Sequence, residues 1–573
     1  MMSLFKYLKA YKLQAILAPL FKLLEAVFEL FVPLVVASII DDGINGGQGV
    51  SYVIWACVVL IVLGIIGLIS AVSAQYFAAK AAVGFSKELR RDLFNKIQTF
   101  SYSQIDEMGT SSLITRMNSD VNQIQSGVNL ILRLLMRSPF IVFGAMIMAF
   151  VVNVTAGSVI AITIAILSVV VFTIMITTIP LYKKVQNNLD NVTLSTRENL
   201  NGVRVIRAFC QEEQEIKNYE NRVDNLTKSQ KFVGGISSLM NPLTYAIINV
   251  AIIVLIYVGA IKVDVGVLKQ GEVIALYNYA SQILVELIKF ANLIIIINKS
   301  FACGGRLKEI LDTKPSLKSG DYVKNITHDY INFNDVSVKY SETADFALSN
   351  VTFSVKKGET VGIIGGTGSG KTTLINLLGH FYDVNLGEVL IDGVNVNAIG
   401  DEILREKFGI VPQKAVLFKG TIRDNLKWGK ADATDEEIMS AVKIAQAEDV
   451  IKNKTNGLDE MVEEGGKNFS GGQKQRLTIA RALVKKPEIL IFDDSASALD
   501  YATDANLRIA LKDLSYNPTV FIVSQRTSSI MHADKIIVLN EGHVVGIGNH
   551  SELLNNCEIY KEIYNSQFET GVA

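Results

Sequence analysis

Six long apolar stretches occupy the first 300 residues, and no other feature restricts the folding of this chain so strongly. A bilayer core about 30 Å thick takes roughly 20 mainly apolar residues in a single helix. Stretches of that kind fall near 14–40, 52–75, 128–152, 157–180, 242–262 and 274–298. The composition agrees, with 49% hydrophobic and 19% charged residues, where an ordinary soluble domain carries about 25% charged residues. A wholly soluble or disordered chain does not fit. The net charge of −1, from 55 basic and 56 acidic residues, supplies no positive field for nucleic acid. Cys57, Cys210, Cys303 and Cys557 lie far apart and show no CxxC or Cys/His ligand spacing, which argues against a disulfide framework and a structural zinc site.

Lys6, Lys9 and Lys12 precede the first stretch, which itself carries Lys22, Glu25 and Glu29 and lacks a small-residue cleavage site. It reads as a retained span rather than a cleaved leader. Residues 76–127 and 181–241 are long and charged, whereas the other connections are short. Lys and Arg near the span ends put both long segments and both termini on the cytoplasmic side of a cell membrane. Helical spacing of Leu89, Leu93 and Ile97, and of Val203, Ile206 and Phe209, predicts that the spans continue as helices beyond the bilayer.

Past Phe301 the character changes. Residues 304–327 are polar and include Pro315 and Gly320, which suits a linker, placed at 314–328 between a membrane domain (1–313) and a second domain (329–573). From Tyr330 onward short β-branched runs alternate with helical patterns, at 331–340, 351–355, 360–364, 387–391, 489–493, 519–524 and 535–540. The expected whole is an all-α six-helix membrane domain followed by an α/β domain with a parallel sheet core.

That α/β domain carries the chemistry. Gly365-Gly366-Thr367-Gly368-Ser369-Gly370-Lys371-Thr372, followed by Thr373, lies between an apolar strand pattern and a helical one and fits GxxxxGK[ST]. Loop amides and a helix N-terminus then converge on phosphate oxygens, with Lys371 on the β- and γ-phosphates and Thr372 on Mg2+. The apolar run Ile489–Phe492 delivers Asp493 to the carboxyl edge of the sheet as the Mg2+-side acid, with Asp494 next. Between them, Phe469-Ser470-Gly471-Gly472-Gln473-Lys474-Gln475-Arg476 sets a hydroxyl and bare glycine amides at the start of another helix, a second anion site.

On these motifs the chain resembles the ATP-binding cassette superfamily, as an exporter half-transporter with six spans and one cassette. The resemblance covers essentially the whole chain, and Phe469 stands where the superfamily's LSGGQ signature has Leu. It implies that ATP and Mg2+ are bound, that Tyr340 stacks on adenine, and that Gln413 contacts Mg2+ and the attacking water. It also implies that Ser497–Asp500 crosses a dimer interface. Each ATP would lie between the P-loop of one chain and the Ser470–Gln473 type of motif of the other.

Two positions depart from the family pattern. Its catalytic glutamate is here Asp494, whose carboxylate sits one methylene further back, and its switch histidine is here Gln525, which cannot become a cation. Both belong to the site on this chain's own P-loop. The expectation is therefore the degenerate-site subunit of a heterodimeric multidrug exporter, with a second half-transporter as partner, the bilayer around it and hydrophobic or cationic amphiphiles as substrates. The rivals are a homodimeric lipid or peptide exporter and an ATP-binding regulatory or channel-like subunit. In the membrane half, Lys22 neutralises only one of Glu25 and Glu29, and Glu286 pairs with Lys289, which suggests a wet cavity with surplus negative charge. Tyr277, Tyr279 and Phe290 are candidate lining residues.

Overall fold

The computed structural model describes residues 2–314, 330–341 and 344–568. These form two compact units, one of Met1–Gln98 and Ser111–Thr313, the other of Thr99–Thr110 and Lys314–Ala573. The linker expected at 314–328 lies, Lys314 apart, outside the described residues.

In the first unit six helical runs, Leu4–Asn45, Gly49–Gln98, Thr110–Val152, Val154–Ala208, Glu212–Asp264 and Gln270–Asp312, are long and apolar enough to cross a membrane. The expected extensions are present: one helix runs unbroken over the 50 residues Gly49–Gln98 and another over the 55 residues Val154–Ala208. At 1.5 Å per residue such helices are about 75 and 83 Å long, more than twice the thickness of a bilayer core. The last helix continues to Asp312 and buries Leu307 and Ile310, so the polar character that begins at 304 marks a helix surface before it marks a linker.

The third run is broken into Val121–Leu134 and Arg137–Val152. Pro139 accounts for the break, because it has no N–H to give the Leu135 carbonyl. The second piece opens on Arg137, only 6% exposed, and this residue corrects the expected surplus of negative charge. Its Nη1 lies 2.6 Å from Glu286, its Nη2 2.6 Å from Glu29 and 3.8 Å from Glu25. Lys22 pairs with Glu25, and Lys289 with Glu286 at 2.9 Å. Three cations (Lys22, Arg137, Lys289) therefore face three carboxylates (Glu25, Glu29, Glu286), and the cluster is neutral. Tyr279 is buried with its hydroxyl donating to the Leu30 carbonyl at 2.7 Å, a packing role rather than a lining one.

Removing one partner of a buried ion pair leaves an uncompensated charge, which costs about 3–5 kcal/mol. Arg137→Met should therefore lower the thermal midpoint of the purified chain strongly, and adding Glu286→Gln should restore part of it. A midpoint unmoved by Arg137→Met would mean that the cluster does not hold the helices together.

In the second unit two sheets share one core. A six-stranded sheet has the order 543–548, 535–540, 360–365, 519–523, 489–493, 408–411, parallel except for its 543–548 edge. The four-stranded sheet is antiparallel, with Ile331–Val338 between Leu348–Val355 and Leu386–Ile391. The central parallel strands 489–493 and 519–523 are buried along their whole length, as expected of strands covered on both faces. Their carboxyl ends, together with that of Thr360–Gly365, form one edge of the sheet.

The short helix Tyr102–Met108, far upstream in sequence, belongs to this unit. Tyr102 stacks on Phe381 with centroids 4.6 Å apart, and the Tyr382 hydroxyl donates to Asp106 at 2.7 Å.

Candidate functional site

Strand Thr360–Gly365 runs directly into the glycine loop, and the loop into the helix Lys371–Leu378. Two glycines are dictated by geometry. A Cβ at Gly365 would stand 2.1 Å from the Leu539 carbonyl oxygen, and Gly370 has φ 96° with a Cβ position 2.6 Å from Leu348. Gly366 and Gly368 have open space where a Cβ would be, and both are exposed, so the concave side of the loop is free for a ligand. The buried Ser369 Oγ has no hydrogen-bond partner among the described residues. Lys371 Nζ is held over the loop by the carbonyls of Gly365 (3.0 Å) and Gly366 (2.7 Å). An ammonium, an unpartnered hydroxyl and the exposed residues Gly366, Thr367 and Gly368 suit a chain of phosphates.

Thr372 Oγ1 donates to both carboxylate oxygens of Asp493, at 3.1 and 3.3 Å, so the two expected Mg2+ ligands are adjacent. Among the described residues no cluster of three His, Cys, Asp or Glu side chains forms a complete metal cage. Burial pushes the Asp493 carboxyl above its usual range, with Asp494 adding to the effect and Thr372 and Lys371 opposing it. Burial likewise pushes Lys371 down, against the pull of both aspartates.

Asp494 is 8% exposed and sits at φ 44°, a left-handed conformation that Asp tolerates better than most residues. Burial raises its pKa, while the charges of Lys371 and Arg526 and hydrogen bonds from Gln413 and Gln525 oppose the shift. Gln525 Nε2 donates to Asp494 Oδ2 at 3.3 Å. The two residues that depart from the family pattern thus touch each other. Gln413, Asp494 and Gln525 share one end of the sheet with the loop, as the sequence led one to expect.

Tyr340 is half exposed, with its hydroxyl 2.9 Å from Thr373 Oγ1 and its ring edge-to-face with Tyr382 at 5.1 Å. It leaves a ring face beside the loop. The Ser470 motif stands apart. Its hydroxyl accepts from the Gln473 amide at 3.3 Å, and the Gln473 side chain accepts from the Ser470 amide at 3.0 Å, closing a capping box on the helix Gly471–Val484. No hydrogen bond among the described residues joins Ser470–Gln473 to the 365–373 loop. A Cβ at Gly471 would meet nothing within 4 Å. Phe469, the signature variant, is buried in the core beneath Lys454.

Sequence reasoning missed two supports. Gln567 clamps the loop after Ser524 by donating to the Gln525 carbonyl (2.7 Å) and accepting from the Thr527 amide (2.8 Å). Arg526 donates to the carbonyls of Ser497 (3.3 Å) and Leu499 (3.5 Å) and lies over the Tyr501 ring, tying the 497–500 loop to the Gln525 loop. No motif marks Gln567, whose part depends on chain folding back across 42 residues.

Comparison with known proteins gives the same outline. Residues 15–287 match the ABC transporter transmembrane region, and residues 348–497 match the ABC transporter domain. The ABC transporter ATP-binding protein YfiB of Bacillus subtilis is 37% identical over 569 residues, 99% of each chain. The ATP-dependent lipid A-core flippase of Hahella chejuensis is 30% identical over 500 residues, 87% of this chain and 85% of its own. A bacterial Atm1-family ABC exporter solved with ATP bound superimposes with a TM-score of 0.81, covering 97% of this chain and 98% of its own at 23% identity.

Proposed function

We infer that this chain, which belongs to the ATP-binding cassette transporters, is one half of a heterodimeric exporter of amphiphilic drugs or lipid-like compounds and carries the weaker of two ATP sites. It is a multi-pass membrane protein with a transport-coupled ATPase domain. In our reading both termini and the cassette lie in the cytoplasm, as the Lys and Arg near the span ends favour. The observation that carries the heterodimer is the contact between Asp494 and Gln525, which puts both departures in one active site while every binding group stays in place.

Bound ATP supplies the free energy of its terminal phosphoanhydride. Tyr340 offers a stacking face to the base, and the amides of Gly366–Gly370 with Lys371 neutralise the phosphates. Thr372 and Asp493 would hold Mg2+, which would neutralise charge on the phosphates, and Gln413 would contact it. Asp494 takes the part of the carboxylate that orients and deprotonates water, and it falls short by one methylene, about 1.5 Å; misplacement on the order of 1 Å can cost about 100-fold in rate. Gln525 donates a hydrogen bond but no positive charge. Ser470, Gly471, Gly472 and Gln473 complete the site of the partner, which brings a glutamate and a histidine.

The purified chain alone should bind Mg-ATP and turn it over slowly, with turnover rising sharply once the right second half-transporter is added. Nucleotide binding and phosphate release on the same sample decide this. Vigorous hydrolysis by the chain alone would point to a homodimer, and tight binding without turnover alongside any partner would point to a regulatory subunit.

A further inference from the structure

A cavity of about 580 Å3 opens in the membrane unit between the first two helical runs, with Arg137 in its lining. Glu25, Phe28, Glu29 and Val32 line one wall; their i, i+3, i+4, i+7 spacing puts them on one helix face. Gly64 and Gly67 lie on the opposite wall, and a Cβ at either would meet nothing within 4 Å. The volume lies in the usual range for a small-molecule site, about 300–1,000 Å3.

The charges beside this cavity are arranged for exchange. A guanidinium presents Nε and Nη2 as a parallel fork that fits a phosphate or carboxylate in two bonds. In Arg137 this fork is half used: Nη2 meets a single oxygen of Glu29 at 2.6 Å, and Nε, buried, has no hydrogen-bond partner among the described residues. Nη1 is fixed separately by Glu286 at 2.6 Å. The Glu29 side chain keeps 38% exposure, whereas that of Glu286 keeps 4%, so Glu29 is the acid that can leave. The cluster as a whole is neutral. A purely cationic or purely anionic headgroup would add an unbalanced charge between membrane-crossing helices, and a zwitterion would not.

We propose that this cavity takes the headgroup of a zwitterionic amphiphile: its phosphate fills the Nε/Nη2 fork of Arg137, and its ammonium takes the displaced Glu29, with Glu25 and the Phe28 ring beside it. Phe28 supplies the face that substituted ammonium groups favour. Val32 and the leucines of the second run receive the start of the tail. This rests on the reading of the chain as a mover of amphiphiles and narrows the substrate class.

The test uses the full chain in phosphatidylglycerol nanodiscs, with three probes of equal tail length: dodecylphosphocholine, dodecyltrimethylammonium and dodecyl sulfate. Dodecylphosphocholine should bind saturably and the other two at least about tenfold more weakly. Arg137→Lys, which keeps the charge and loses the fork, and Glu29→Gln should each weaken it about tenfold, the loss of one charge-assisted contact. Gly67→Leu, whose Cβ would meet nothing within 4 Å and whose side chain enters the cavity, should abolish it. Equal binding of dodecyltrimethylammonium, or unchanged binding in Arg137→Lys or Gly67→Leu, would overturn the proposal. Phosphatidylethanolamine in the disc that displaces the probe identifies a bilayer lipid as the source. Failure to displace it identifies a free amphiphile, and both results keep the headgroup chemistry. ATP-driven movement without headgroup preference overturns this site and spares the exporter reading; selective binding without any ATP-driven movement does the reverse.

Discussion

Gly471→Asp in the assembled transporter should reduce ATP turnover by about 100-fold or more, a loss of the size seen when one preorganised donor is removed from an oxyanion site. Asp494→Ala should lower it only modestly. The aspartate would put negative charge where the partner's phosphates are to be received. Misfolding is a poor explanation for the loss, because a side chain at Gly471 meets open space and an acidic residue in the first turn favours a helix. Ser470→Ala should act in the same direction through loss of the hydroxyl at the helix start. Asp494, by contrast, serves a site already slowed by its own geometry. Phosphate release measured on the three variants in parallel decides the matter, and equal damage from Asp494→Ala and Gly471→Asp would show that the two sites have been assigned to the wrong chains.

Asp494→Glu combined with Gln525→His should raise ATP turnover at this site by about tenfold or more, since a well-placed general base contributes on the order of 100-fold. Glutamate restores the reach of the carboxylate, and histidine restores a group that can take positive charge near the γ-phosphate. Gln525 is exposed, so the imidazole has room. Glutamate tolerates the φ of 44° at 494 less well than aspartate, a strain on the order of 1 kcal/mol that trims the gain. Efflux per ATP should stay flat or fall. A slowly hydrolysing site keeps one nucleotide in place across cycles and biases the cassettes toward contact, and faster chemistry removes that bias. A proportional rise of efflux and phosphate release would exclude a holding role. An unchanged rate of phosphate release would show that something other than these two residues limits the site.

The parts legible in the sequence were those with their own periodicity or their own motif. The six spans, the helical extensions beyond them and the strands at 360–365, 489–493 and 535–540 could be read directly, because a long apolar run or a β-branched run has few alternatives. The strand Phe408–Val411 was missed. It has only four residues, includes Gly409 and stops at Pro412, so no alternation develops, and its place in the sheet comes from pairing with Ile489–Phe492. The His543–Gly548 edge was missed for a related reason: its valines and isoleucine are separated by Gly546 and its pairing is antiparallel. In the site, the structure brings Thr372 to Asp493 and Lys371 to the loop carbonyls, contacts that motifs lead one to expect because a motif records local geometry. Arg137 escaped notice because its partners are more than 100 residues away on two other helices. Its basic side chain inside an expected span was the signal available, and charge counting confined to single helices could not use it.

The helix Tyr102–Met108 has a consequence for how such chains can be recombined. The cassette is built from two separate stretches of chain, and the upstream one supplies Tyr102 to Phe381 and Asp106 to Tyr382, whose ring packs against Tyr340. Cutting the gene near residue 314 therefore does not cut the protein into its natural pieces: a cassette grafted onto another membrane half arrives without part of its own fold. Inheritance should respect this. Chimaeras that carry residues 99–110 along with the cassette should behave as modules, while those that exchange the cassette alone bring together surfaces that have no shared history.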